Sequence, residues 1–182
     1  MDLRVWLVAL TMLGFPLAVF LGAGYTVQEL SGRIPKHGER GLGMRFGYDA
    51  ATIERVWTPD DPAKRKRAID GERLFLKLDL LFPIFYGFAL ATGILIGLAA
   101  AGFPSGSSLA LVPVAVSVVA DWTENAAQLR LLAEFEARRQ LSASLVQIAS
   151  AATVTKLLAL IVSMATVVGL AVNLVVLAMH RP

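Results

Sequence analysis

A chain of 182 residues has room for one domain. A hydrophobic share of 56% with only 17% charged residues, and a mean hydropathy of +0.64, sets it apart from soluble domains. The absence of cysteine excludes disulfides, thiolate metal sites and cysteine nucleophiles, and at a net charge of +3 no nucleic-acid partner is expected.

The first apolar run, 5–24, carries no charge and is longer than the core of a secretory signal, so it is expected to stay as a membrane span. A loop follows over 25–77. It opens with a glycine-rich stretch, 38–47, which lacks a preceding strand and a following Gly-Lys-Ser/Thr and therefore reads as a flexible connection, not a phosphate cradle. Two short helices are expected after it. Asp61 before Pro62 is an N-cap followed by a first-turn proline, and the basic run Lys64, Arg65, Lys66 and Arg67 lies on the helix they start. Ile69, Leu74, Phe75 and Leu78 give that helix an apolar side that lies on the membrane surface and bends into the second span, 78–101.

The third run, 109–132, is unlike the others. It is apolar to Ala120 and then carries Asp121, Glu124, Asn125 and Gln128, spaced so that all four share one helix face, with Ser117 one turn before them. Leu129, Leu131 and Leu132 resume the apolar character, which extends the span and puts Asp121 near its middle. The fourth run, 156–179, begins with Lys156 and has no further charge. Continuous runs, unlike alternating ones, mean helices and not barrel strands. The expected fold is an all-α integral membrane protein: one four-helix transmembrane bundle over 1–182 with a long helical loop between helices 1 and 2. Most of the 17 Lys and Arg fall in the first and third loops, so those loops are expected in the cytoplasm, with the bundle in a bacterial inner membrane.

Each of the other spans has a stripe suited to face the bundle interior: Asp79, Pro83, Tyr86, Leu90, Gly93 and Gly97 in the second; Ala152, Lys156, Ala159, Ser163, Thr166 and Asn173 in the fourth; Thr11, Gly14, Ala18, Gly22, Tyr25 and Glu29 in the first. In an up-and-down bundle the acids of the third span lie level with the starts of the second and fourth and the end of the first. Asp79, Glu29 and Lys156 are thereby brought to their depth, and Lys156 is the expected counter-charge for Asp121 or Glu124. Arg130 projects from another side of its helix.

The segment 71–87, with Asp79, Pro83 and Tyr86, followed by Ala120-Asp121-Trp122-Thr123-Glu124-Asn125, resembles a group of small bacterial four-span membrane proteins of unassigned function. A fainter likeness is to the EXPERA family of sterol isomerases and sigma-two-type receptors, which are similar in their layout of spans, long first loop and an acid ahead of Phe-Pro and an aromatic. That resemblance implies a site at Asp79, Pro83 and Tyr86. The intramembrane histidine of the isomerases has no counterpart, since the two histidines here are His37 and His180.

No His-Glu-x-x-His or Gly-x-Ser-x-Gly motif occurs, so neither a metal nor a cofactor is expected and carboxylate chemistry remains. Three readings follow. In the first, a pocket lined by Phe82, Tyr86, Trp122, Asn125, Gln128 and Lys156 holds an apolar, lipid-like ligand, and Asp79, Asp121 or Glu124 exchanges a proton with it. In the second, the acids form a relay for proton- or cation-coupled transport. In the third, the polar network serves assembly as a homo-oligomer or as the non-catalytic subunit of a membrane complex.

Overall fold

The computed structural model describes residues 3–31 and 41–180, with side chains over 5–31, 41–104 and 108–180; His37 and the start of the glycine-rich stretch lie outside them. Six α-helices make up the described chain, with no strand among them: α1 (Leu3–Ser31), α2 (Ala50–Trp57), α3 (Arg65–Asp79), α4 (Phe82–Ala100), α5 (Val112–Glu136) and α6 (Ala143–Met179). Three helical stretches are long and apolar enough to cross a membrane: Val5–Ser31, Pro62–Ala100 and Ala143–Met179. α5, with its acids, is not among them.

Helix boundaries follow local chemistry. The Asp49 carboxylate caps α2 by accepting from Thr52 N, and Asp61 caps the 3-10 turn Pro62–Lys64 that leads into α3 by accepting from Ala63 N, as its sequence predicts. α3 does not run unbroken into α4. Pro83 lacks an N–H and cannot continue a helix through its position, so the chain turns at Leu80–Leu81 and restarts with the proline in the first turn of α4. Between α5 and α6, Arg138 adopts a φ of +53° that closes the α5 terminus in a left-handed turn, a place where glycine is the usual residue.

Four helices, α1, α4, α5 and α6, run alternately up and down. Tight approaches fix the pairing. A Cβ on Gly87 would lie 2.7 Å from Val118 Cγ2 of α5, which forces something to shift, and one on Gly93 would lie 3.2 Å from Met12 O of α1, a tight approach to backbone. The core divides into two clusters. One, inside the bundle, joins Met12, Tyr86, Leu90, Ile94, Val114, Val167 and Leu170. The other is a cap in which Ile53, Trp57, Ile69 and Leu76 of α2 and α3 cover Leu131, Leu132 and Phe135 of α5 and Val146 and Ala149 of α6. At 37 residues, α6 is about 55 Å long and serves both clusters.

Two expectations are corrected. Leu131 and Leu132 are apolar because α2 and α3 bury them in the cap, so the apolar part of α5 ends near Asp121, which sits toward one end of the bundle and not at its middle. And the α1 stripe faces outward: nothing lies within 4 Å of a Cβ on Gly14 or Gly22, while Thr11, Ala18, Tyr25 and Glu29 are exposed. The inward face of α1 is Ala9, Met12 and Pro16, because the small residues that allow close packing are supplied by α4, opposite Met12.

Candidate functional site

Asp121, Glu124, Asn125 and Gln128 all turn inward from α5, each no more than 3% exposed. They lie in the layer between the two hydrophobic clusters, where Lys156 of α6 meets them. Its Nζ is 3.2 Å from Asp121 Oδ1 and 2.5 Å from Glu124 Oε2, and that ammonium is the sole polar partner of Glu124 Oε2 among the described residues. The expected counter-charge is therefore found, and it serves both acids at once.

Further hydrogen bonds hold the triad from both sides. Tyr86 of α4 donates its hydroxyl to Asp121 Oδ2 at 3.1 Å, and Gln128 Nε2 donates to Glu124 Oε1 at 2.8 Å. The same Gln128 amide reaches the Tyr48 hydroxyl at 3.0 Å, which also accepts from Thr153 Oγ1 at 3.3 Å. Tyr48 sits in the loop before α2, and burial there pushes its phenol up to about 12 from an ordinary 10.0. Gly43, in the 3-10 turn Leu42–Met44, lies directly over the ions: a Cβ there would be 3.2 Å from Glu124 Oε1 and 3.3 Å from Lys156 Nζ. A side chain there would need the Glu124 carboxylate or the Lys156 ammonium to give way by a few tenths of an ångström.

Beside the triad is a cavity of about 510 Å³. Glu124, Asp121, Asn125, Gln128 and Lys156 form its polar wall, and Asp79 and Glu72 of α3 add two more carboxylates. Phe20 and Gly24 of α1, Phe82 of α4, Leu157 and Leu160 of α6 and Trp57 and Ile69 of the cap form the apolar remainder. Glu72 is held in place by the Trp57 indole, which donates to it at 3.1 Å.

The sequence-derived residues are thus mostly gathered, with exceptions. Tyr86 is fully buried beneath the cavity and stacks edge-on with Phe82 at 5.2 Å, supporting the wall without lining it. Trp122 is outside. One position after Asp121 it is rotated about 100° round the helix, so its ring is 40% exposed on the outer surface while its indole N–H donates to Leu80 O at 2.9 Å. Asp79 ends α3 inside the Pro62–Ala100 stretch, at the break before α4; its carbonyl accepts from Asn125 Nδ2 at 3.3 Å and it lines the cavity. Glu29 is exposed and does not join. Tyr48, Thr153, Glu72 and Gly43 are additions. Thr153 stands three residues before Lys156 on the same helix face and is legible from spacing; the loop residues carry no periodic signal.

No protein-family model, curated protein or solved structure matches the chain. The chemistry of the site therefore rests on its geometry. Among the described residues no group of three His, Asp or Glu side chains is placed to hold a metal ion, and Lys156 fills the position between Asp121 and Glu124 that a cation would take.

Proposed function

We propose that the chain is an integral membrane protein that binds an amphiphilic, lipid-like ligand in the cavity between bundle and cap. The outer surface supports the membrane reading. Leu7, Leu10, Leu17 and Leu21 of α1, Phe85, Phe88 and Leu95 of α4, Val116 and Val119 of α5, and Leu158, Ile161, Val168, Val172 and Leu177 of α6 all stand exposed, a belt that water would not favour. On α6 the unbroken part of that belt, from Leu158 to Leu177, spans about 28 Å, close to the hydrocarbon thickness of a bilayer, with Ile148 exposed apart from it. Exposed Trp122 and Tyr25 mark one edge and Trp6 the other, as aromatic residues do at membrane interfaces. On this reading α1, α4, α5 and α6 all cross, α5 shielded by its partners, and the cap with most Lys and Arg faces the cytoplasm of a bacterial cell.

The observation that carries the ligand is the two-sidedness of the cavity: an apolar floor of Phe20, Phe82, Leu157 and Leu160 against the ion-paired wall of Asp121, Glu124 and Lys156. Such a space suits a molecule with an acyl or ring body and a hydrogen-bonding head. Because Lys156, Tyr86 and Gln128 already engage both acids of the triad, the arrangement favours binding and orientation over proton transfer. Native mass spectrometry after gentle extraction tests this. A lipid should remain bound to the wild type and be lost from Leu160→Trp, which fills the floor; an equally unliganded wild type refutes it.

The outward stripe of Thr11, Gly14, Ala18 and Gly22 on α1 favours a second reading, in which a helix of another copy or of a membrane-complex partner packs there. Cross-linking through Gly14→Cys and Gly22→Cys in membranes checks it; the absence of any cross-linked product removes it.

A further inference from the structure

The segment between Gly43 and Gly47 has a feature that the cavity explains only in part, since Met44 lines it and Phe46 does not. Met44 and Phe46 are 61% and 68% exposed, among the most open large apolar side chains of the molecule, yet the chain on either side of them is firmly held. Leu42 is buried in the cap core, and Gly43 lies against Glu124 and Lys156. After them, Gly47 turns the chain with a φ of +93°, and Tyr48 N donates to Ser150 Oγ of α6 at 2.9 Å. The segment is thus strapped across α6 between the levels of Lys156 and Ser150, and both apolar residues stay exposed, Met44 where it also lines the cavity and Phe46 away from it.

That level coincides with a boundary. The unbroken exposed apolar belt of α6 begins at Leu158, with Ile148 exposed apart from it, so the strap lies between the two, about 3–12 Å along the helix axis from Leu158. The interfacial layer of a leaflet, between hydrocarbon and bulk water, is about 5–8 Å deep. Trp122 and Tyr25 lie exposed at the same edge.

We propose that Met44 and Phe46 insert into the head-group and upper acyl region of the phospholipid leaflet beside the cap, making this strap a second membrane anchor that continues the belt of the bundle. The inference rests on the membrane reading. Its chemistry is that of an interfacial apolar segment: large side chains in the acyl boundary and a glycine-flanked backbone, held by side-chain and backbone contacts, at the head groups. The turn over the Glu124–Lys156 pair is then tied to the bilayer as well as to the protein.

The chain contains no cysteine, so single probes need no background substitutions. Phe46→Cys and Met44→Cys, each leaving the other anchor in place, are labelled with an environment-sensitive fluorophore and reconstituted in phosphatidylcholine vesicles containing lipid spin-labelled high on the acyl chain. Val119→Cys, on the exposed belt of α5, and Lys66→Cys, exposed on the cap, are the references. Quenching at 44 and 46 should come within about twofold of that at 119, with 66 unaffected. Quenching at 119 but none at 44 and 46 overturns the strap while leaving the membrane reading intact. No quenching at 119 either overturns both.

Discussion

Replacing Lys156 by methionine keeps the aliphatic stem and removes the ammonium, leaving Asp121 and Glu124 with side chains only 3% and 1% exposed and no counter-charge. Removing one partner of a buried ion pair costs about 3–5 kcal/mol, because the remaining charge has lost both water and its partner. Here one ammonium serves two carboxylates, which pushes the cost up; the bonds from Tyr86 and Gln128 survive and hold it within that range. For a chain of this length about 1 kcal/mol moves the melting temperature by about 2–4 °C, so Lys156→Met should melt on the order of 10 °C below wild type. Thermal unfolding in mild detergent, followed by circular dichroism, measures it. The control is the triple change Asp121→Asn, Glu124→Gln and Lys156→Met. It removes all three charges together and should fall within about 2 kcal/mol of wild type, since a buried ion pair often contributes little net stability over neutral groups of the same shape. Coincident melts for wild type and Lys156→Met would show that water reaches the triad and that the ion pair is not buried.

Gly87→Ala should destabilise by about 1–3 kcal/mol, because the new Cβ meets the stiff, β-branched Val118 at 2.7 Å. Gly14→Ala, with open space around it, should be neutral or stabilising by less than about 1 kcal/mol; the two melts are compared directly. Tyr48 should form its phenolate near pH 12, read as the difference in ultraviolet titration between wild type and Tyr48→Phe. Since the folded pKa lies above the ordinary 10.0, this group's contribution to stability is complete below pH 10 and is lost as pH rises toward 12. In Tyr48→Phe that part of the alkaline loss should vanish. Arg138→Gly, relieving a positive φ, should raise stability by about 1 kcal/mol in chemical unfolding.

What the sequence made legible was whatever repeats with helical period. The spacing of Asp121, Glu124, Asn125 and Gln128 placed them on one face, and chain order in an up-and-down bundle brought Lys156 to their depth. Asp61 and Pro62 marked a helix start because capping is a local event. Leu131 and Leu132 misled because an apolar residue does not state its partner: lipid and a covering helix such as α3 ask for the same side chain. The α1 stripe misled for a related reason. Close helix packing needs small residues on one partner only, and Gly93 of α4 already supplies them opposite Met12. Gly43 could not be assigned at all, since the close contact it makes is with Glu124 and Lys156, more than eighty residues along the chain.

The pairing of α5 with α6 bears on how the protein is made. On the membrane reading, α5 alone would present two carboxylates to the hydrocarbon at about 2.5–3.5 kcal/mol for a central aspartate and somewhat less nearer an edge. It lacks the uninterrupted apolar length that would offset that cost, and it is missing from the helices that qualify as spans by themselves. The ammonium that neutralises it comes from the next helix, across the short turn at Arg138. On that reading the two helices are a unit of biosynthesis, a hairpin whose halves enter the bilayer together, with α6 as the insertion partner that the same chain encodes for α5.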